Sequence, residues 1–140
     1  MSVTINGSGQ LITQVVNNSS VLNFSTSSTS DTNTGFSVSI TPTSASSKIL
    51  VLYNGSWSLQ ASNTSWTLSL YRGATDLGEV ASGYGASGGW IASQGSFFYL
   101  DSPATTSATT YRLYVKEGGL AGTISSNLVV HSFTALEISG

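Results

Sequence analysis

The chain holds one imidazole, His131, and six carboxylates, Asp31, Asp76, Glu79, Asp101, Glu117 and Glu137, beside 28 serines, 17 threonines and no cysteine. A hydroxyl becomes a nucleophile only with a base in hydrogen-bond reach. His131 sits in an apolar run between Val130 and Ser132, and nothing in that run marks one serine out of 28 as its partner. It reads as a strand histidine facing a neighbour or a subunit contact, where copies gathered near a symmetry axis would make it pH sensitive. Glycoside hydrolysis needs two acids across one cleft, and no spacing pairs two of the six. Asp76 and Glu79 flank a turn; solvation of that turn explains them better than Ca²⁺, which takes more oxygen ligands. Without cysteine there is no disulfide, no thiolate and no cysteine-held zinc. The glycines at 7 and 9 and around Tyr84 match no phosphate loop, because neither a basic residue nor a helix follows. No catalytic residue, cofactor site or metal site is predicted.

Composition narrows the classes further. The 140 residues carry 4 Lys+Arg and 6 Asp+Glu, a net charge of −2 with only 7% charged residues, against about 25% in ordinary globular proteins. Solubility must come from hydroxyls and amides. A chain of this length builds one domain with a core that needs no staples. Lys48, Arg72, Arg112 and Lys116 are scattered and cannot neutralise a phosphate backbone, which argues against nucleic acid as a partner. No apolar run reaches about 18 residues, and Met1-Ser2-Val3-Thr4 lacks the basic and apolar regions of a signal peptide. The expectation is a soluble chain made in the cytoplasm, with no membrane partner.

Abundant Thr, Val, Ile, Tyr and Phe, with no apolar recurrence at helical spacing, predict an all-β fold. Phe36-Ser37-Val38-Ser39-Ile40 alternates strictly and reads as a half-buried strand ended by Pro42. Lys48 to Gln60 is a longer strand whose first half, apolar on both faces, is expected to be covered on both sides. Trp66, Leu68 and Leu70 share a face, and Arg72 to Asp76 is the turn that folds this strand onto Leu77 to Ala81. Gly83 to Gly89 reads as a mobile loop. Trp90 to Leu100, Tyr111 to Lys116 and Asn127 to Ile138 supply three more strands. The first 30 residues hold one or two shorter strands, and Ser25 to Thr34 is a low-complexity surface loop. Eight to ten strands with frequent turn signals suit a jelly-roll β-sandwich. Residues 1–34 are expected to form an arm or edge strands packed on or extending from the sandwich, and residues 35–140 the sandwich itself.

Fourteen aromatic residues exceed what one small sandwich needs. Tyr53, Phe98, Tyr114 and Phe133 fall on the outer face if their neighbours point inward, and such a patch is best covered by a permanent subunit interface. A different register, through a bulge near Gly55 or Ser132, would turn them the other way.

The order of the strand Lys48 to Gln60, the hairpin Trp66 to Gly73, the strand Ser96-Phe97-Phe98-Tyr99-Leu100 and the closing His131 to Glu137 resembles the jelly roll of the tumour necrosis factor and complement-head class. That resemblance implies a homotrimer packed through strand-face aromatics. The stretches Ile40 to Val51 and Leu100 to Tyr111 are similar to segments common in structural proteins of tailed bacteriophages, among them capsid decoration and fibre proteins.

These readings converge on a non-enzymatic virion structural protein. The first expectation is a capsid decoration or cement protein, a homotrimer on the outer capsid surface that binds the major capsid protein of the same virion. Tyr53, Phe98, Tyr114, Phe133 and His131 are then the trimer interface. A fibre tip normally follows a long shaft, whereas the globular pattern here begins within about 35 residues of Met1. The alternative is a lectin-like receptor-binding tip of a phage tail fibre, reading host surface glycans through Tyr84 and Trp90, with Trp57 and Trp66 as weaker stacking candidates.

Overall fold

In the computed structural model, the residues described are 11–60, 64–85, 89–119 and 122–140, with the side chains of residues 127 and 128 set aside. They form β1 (Ile12–Thr26), β2 (Thr32–Ile40), β3 (Lys48–Gln60), β4 (Thr64–Arg72), β5 (Thr75–Gly85), β6 (Trp90–Asp101), β7 (Thr109–Glu117) and β8 (Thr123–Ile138). Two antiparallel four-stranded sheets result, in the orders β1-β8-β3-β6 and β2-β7-β4-β5. Every connection crosses between the sheets except the β4–β5 hairpin. This strand order is a jelly roll.

The alternating side chains explain why these segments are strands with one wet face. Phe36, Val38 and Ile40 of β2 are buried while Ser37 and Ser39 point out. In β4, Trp66, Leu68 and Leu70 are buried, as are Tyr111, Leu113 and Val115 in β7. The hairpin turns at Gly73 and Ala74, since Arg72 already pairs with Thr75, and Gly73 takes φ of 61°, where a side chain would be strained.

Several expectations are corrected. β3 is covered on one face only: Ile49, Val51 and Tyr53 are buried, but Leu52 is exposed and Leu50 half-buried on the other side. Among the described residues, the N-terminal region holds one 15-residue strand, β1, where one or two shorter ones are expected; residues 1–10 lie outside the described residues. The surface loop shrinks to residues 27–31, because β1 runs through Thr26 and β2 begins at Thr32. Gly83 and Gly85 belong to β5 and pair with Trp66 and Thr64; the rest of that expected loop, residues 86–88, lies outside the described residues. Gly83 serves packing, because a Cβ there would stand at about 2.5 Å from the Trp66 ring.

Polar side chains bolt the two sheets together. Asp101, at the buried end of β6, takes two hydrogen bonds from Arg72 Nη1 of β4, at 2.8 and 2.9 Å, and one from the Tyr111 hydroxyl of β7 at 2.6 Å. A carboxylate this buried is tolerable only when so partnered. Burial first, then Asp101, pushes the Tyr111 hydroxyl far above its ordinary value. Asp101→Asn keeps the shape and removes the charge that Arg72 answers. The variant is expected to lose ~1–3 kcal/mol of stability, read as a lower urea midpoint with an unchanged slope.

Candidate functional site

Parity along β8 settles where the predicted site residues go. Opposite β3, pairing jumps from Asn54↔Ser132 to Ser58↔Ser125, and opposite β1 it shifts between Leu22 and Phe24. The extra β8 residues form a bulge. Ile124 and Ser126 face inward before it, His131, Phe133, Ala135 and Glu137 face inward after it, and Val129 and Val130 stand exposed between.

This corrects the outward face expected for Tyr53 and Phe133 and the subunit-contact reading of His131. All three are core residues: Phe133 and His131 are fully buried and Tyr53 nearly so. The irregular register next to Gly55 and Ser132, the alternative the sequence left open, is the one observed. Phe98 does point outward, 78% exposed on β6. Tyr114 lies on the outer face of the other sheet, half-buried and stacked on Tyr71 with ring centroids 3.9 Å apart. The five residues expected at one interface therefore do not share one surface.

The interior group is a closed hydrogen-bond chain. Trp57 Nε1 donates to the Tyr53 hydroxyl at 2.9 Å, Tyr53 Oη lies 2.6 Å from His131 Nδ1, and His131 Nε2 meets Ser126 Oγ across the bulge. Indole can only donate, so the proton order that satisfies every member runs Trp57 to Tyr53 to His131 Nδ1, with Nε2–H donating to Ser126. The rings of Phe36, Tyr53 and Trp57 surround the imidazole. Both of its nitrogens are engaged and it has no access to solvent, so its job is to hold the bulge. Gly55 makes room: a Cβ there would overlap the imidazole and the Tyr53 hydroxyl.

Glu137, also fully buried, anchors the β2–β3 loop by accepting from Thr43 N at 2.7 Å and Thr43 Oγ1 at 2.8 Å. Burial pushes its carboxyl up, but hydroxyl and amide donors from Ser47, Thr43 and Thr13 outweigh this and hold it below its ordinary value. Among the described residues no group of three His, Cys, Asp or Glu side chains could hold a metal ion.

The outer surfaces of the two sheets differ in kind. The strands β2, β4, β5 and β7 carry Arg72, Asp76, Glu79, Arg112, Lys116 and Glu117, of which Glu117 is buried and Arg72 reaches across to Asp101. Lys116 lies 2.5 Å from Glu79 and 4.0 Å from Asp31, and Asp31 accepts from Ser69 and Tyr71. The strands β1, β3, β6 and β8 carry only Lys48, Asp101 and Glu137, and the last two point inward. Their outer face instead presents a row running across all four strands, Val15, Leu136, Leu50 and Leu100, in direct register. The next row is Asn17, Thr134, Leu52 and Phe98. Among the described residues, every exposed large hydrophobic side chain except Tyr84 belongs to this sheet. A depression of about 630 Å³ is lined by Phe98 and by Leu52, Asn54, Ser96, Ser132 and Thr134 of this face, with Tyr53, Phe97 and Val80 of β5 also bordering it.

The two glycan candidates flank the β5–β6 connection. Tyr84 is 64% and Trp90 57% exposed, but neither lines the depression. Trp57 and Trp66 are core residues. The residues that sequence reasoning missed are Val15, Leu50, Leu52, Leu100 and Leu136. For Leu50 and Leu52 the signal is the run of apolar side chains on both faces of β3, which the sequence reading assigns to coverage on both sides.

The chain matches no protein-family model, and no curated protein is significantly similar to it in sequence. Its backbone is similar to chains of infectious bursal disease virus particles. For the Gx strain the TM-score is 0.48 and the identity 15%, over 99% of this chain and 38% of that one. For the T13 viral particle the values are 0.48 and 11%, over 99% and 43%. For the VP2 subviral particle they are 0.46 and 13%, over 90% and 38%. This chain thus spans about two-fifths of the length of the chains it resembles. The jelly-roll assignment stands on the strand order alone.

His131 makes stability depend on pH. Burial holds its imidazole below the ordinary value of 6.5, a bond to the Ser56 backbone offsetting part of this. The unfolded chain takes up the proton near 6.5 and the folded chain does not, so stability falls as pH drops below 6.5 toward the folded value. Chemical denaturation at pH 7 and pH 5 is expected to show this loss, with a slope of at most about 1.4 kcal/mol per pH unit. His131→Gln is expected to be weaker at pH 7 but flat across that window. Gly55→Ala is expected to cost ~1–3 kcal/mol at either pH.

Proposed function

We propose that this chain is a non-enzymatic structural protein of a virus particle, a capsid decoration or cement protein that binds the outer shell as a homotrimer. One observation carries the reading: the sandwich is two-faced, with outward acidic and basic side chains on one sheet and, on the other, an apolar surface whose one outward charge among the described residues is Lys48 at the start of β3. Obligate homo-oligomer interfaces are of the second kind, resembling a core cut in half. Two further features support it. The segments similar to tailed-phage structural proteins contain the β2–β3 and β6–β7 loops, which meet at one end of the sandwich, where Lys48 Nζ bonds Ser102 Oγ at 3.2 Å. The one histidine is consumed by the core network and has no access to solvent, so it cannot serve as a general base.

On this reading the trimer covers the apolar faces, and the hydroxyl-rich remainder meets the major capsid protein across several subunits at once. A ligand that binds only the assembled lattice stabilises it by mass action. A second reading, the lectin-like receptor-binding tip of a tail fibre, is favoured by the exposure of Trp90 and Tyr84 on strands that flank one connection.

Light scattering is expected to give about three times 14.5 kDa at micromolar concentration. Purified protein is expected to sediment saturably with empty shells and to leave a glycan array unlabelled. Array binding abolished by Trp90→Ala would establish the fibre-tip reading instead, and a stable monomer would remove the trimer.

A further inference from the structure

We infer that copies of this chain join through the outer face of the β1-β8-β3-β6 sheet, Phe98 of one copy entering the depression beside Phe98 on the next. The inference rests on the self-association proposed above and names its surface and its central contact.

The register builds a knob beside a hole. Leu52 pairs with Phe98 on one side and Thr134 on the other, and one step along the strands Asn54 pairs with Ser96 and Ser132. The large side chains of the first row thus border the small ones of the second, which floor the depression of about 630 Å³. Phe98 stands on the edge strand β6 with 78% of its surface exposed. A projecting aromatic ring that fills a desolvated pocket is the usual centre of binding energy. Here ring and pocket lie side by side on one chain, so each copy supplies what the next one needs, and a rotation of the chain onto its neighbour can close the set.

The polar part of the floor is prepared for burial. Asn17 Nδ2 donates to Ser132 Oγ at 3.0 Å and to Thr134 Oγ1 at 2.7 Å. These groups already have a partner within the chain, and a ring that covers them strands less hydrogen-bonding capacity than it would over bare hydroxyls. Charge points to the same occupant. Each copy carries −2, and the one charged side chain on this outer face among the described residues is Lys48, at the start of β3. Two copies can meet here without placing like charges opposite one another. Four strands at about 4.8 Å spacing and some thirteen residues at about 3.4 Å give a face of roughly 800 Å², the per-partner area of a standard stable interface.

Two variants test the two halves separately, with mass read by light scattering between about 10 and 100 µM and folding read by cooperative urea unfolding. Phe98→Ser removes the knob together with the wall that Phe98 gives the hole, whereas Ser132→Trp fills the hole and leaves the knob. Both are expected to fall from trimer to monomer while still unfolding cooperatively, with self-association weakened about 30-fold or more. Tyr114→Ser, on the opposite sheet, is expected to keep the wild-type mass. If Ser132→Trp loses cooperative unfolding, Asn54→Trp fills the same space from an exposed position. A wild type that is monomeric throughout would overturn the self-association reading itself. A trimeric wild type whose Phe98→Ser and hole-filling variants both stay trimeric would leave that reading standing and overturn this surface. Dissociation by Phe98→Ser alone would overturn the knob and hole.

Discussion

The bulge of β8 between Ser126 and His131 sets the facing of the whole β1-β8-β3-β6 sheet. A strand has period two, so a change of parity sends each following side chain to the opposite face. Here it sends Phe133 and Ala135 into the core and turns Leu136 out beside Val15 and Leu50. A buried backbone irregularity needs partners for the groups it frees. His131 bridges it, reaching Ser126 on one side and Tyr53 on the other, while Trp57 closes the chain and Gly55 leaves the space. The apolar outer row is the consequence of this arrangement. It appears where the displaced alternation leaves leucines and valines with no second layer above them.

That consequence fits the composition. A protein with so few charges keeps itself in solution through hydroxyls and amides, which are weaker solubilisers but far easier to desolvate than ions. Apart from Lys48, the exposed charges of the described strands, Asp76 and Glu79, lie on the other sheet, where Lys116 pairs with Glu79 and exposed pairs contribute only ~0–1 kcal/mol each. Their value lies in marking one side as the wet one. The opposite side carries only Lys48, at the start of β3, among its described outward charges, so covering most of it would bury no ion, and burying ions is costly.

Much of the fold was legible in the residues. Phe36 to Ile40 and Lys48 to Gln60 declare their strands by alternation and by the turn residues that bound them, and the Gly73 turn declares the hairpin. The faces were harder to read. Along Ile49-Leu50-Val51-Leu52-Tyr53 both parities are apolar, so periodicity alone cannot choose. The choice falls to Asn54, Ser56 and Ser58, which share the parity of Leu52 and place it outside. In β8 no local signal announces the bulge. Val129, Val130 and Phe133 look equally suited to a core, and only Tyr53 and Trp57 on the neighbouring strand β3 decide among them. Gly83 misled for a related reason: its lack of a side chain serves the Trp66 ring across the pair, a non-local demand that looks like loop composition in one dimension.

The same physics explains why the exposed aromatic belongs on β6. An edge strand with a row of unpaired backbone groups invites uncontrolled pairing, and proteins usually blunt it with lysine, proline or a bulge. β1, the other edge of this sheet, has register shifts near both ends. β6 pairs with β3 without a shift from Leu59↔Ile91 to Ile49↔Asp101, and its one charge, Asp101, is turned inward to Arg72. In the assembly proposed above, a neighbouring copy would cover this edge. On the assembly proposed above, a large ring at Phe98 beside a shallow hole would direct association to one geometry, where a plain apolar edge would accept many, and a closed set of subunits would leave no face for further growth.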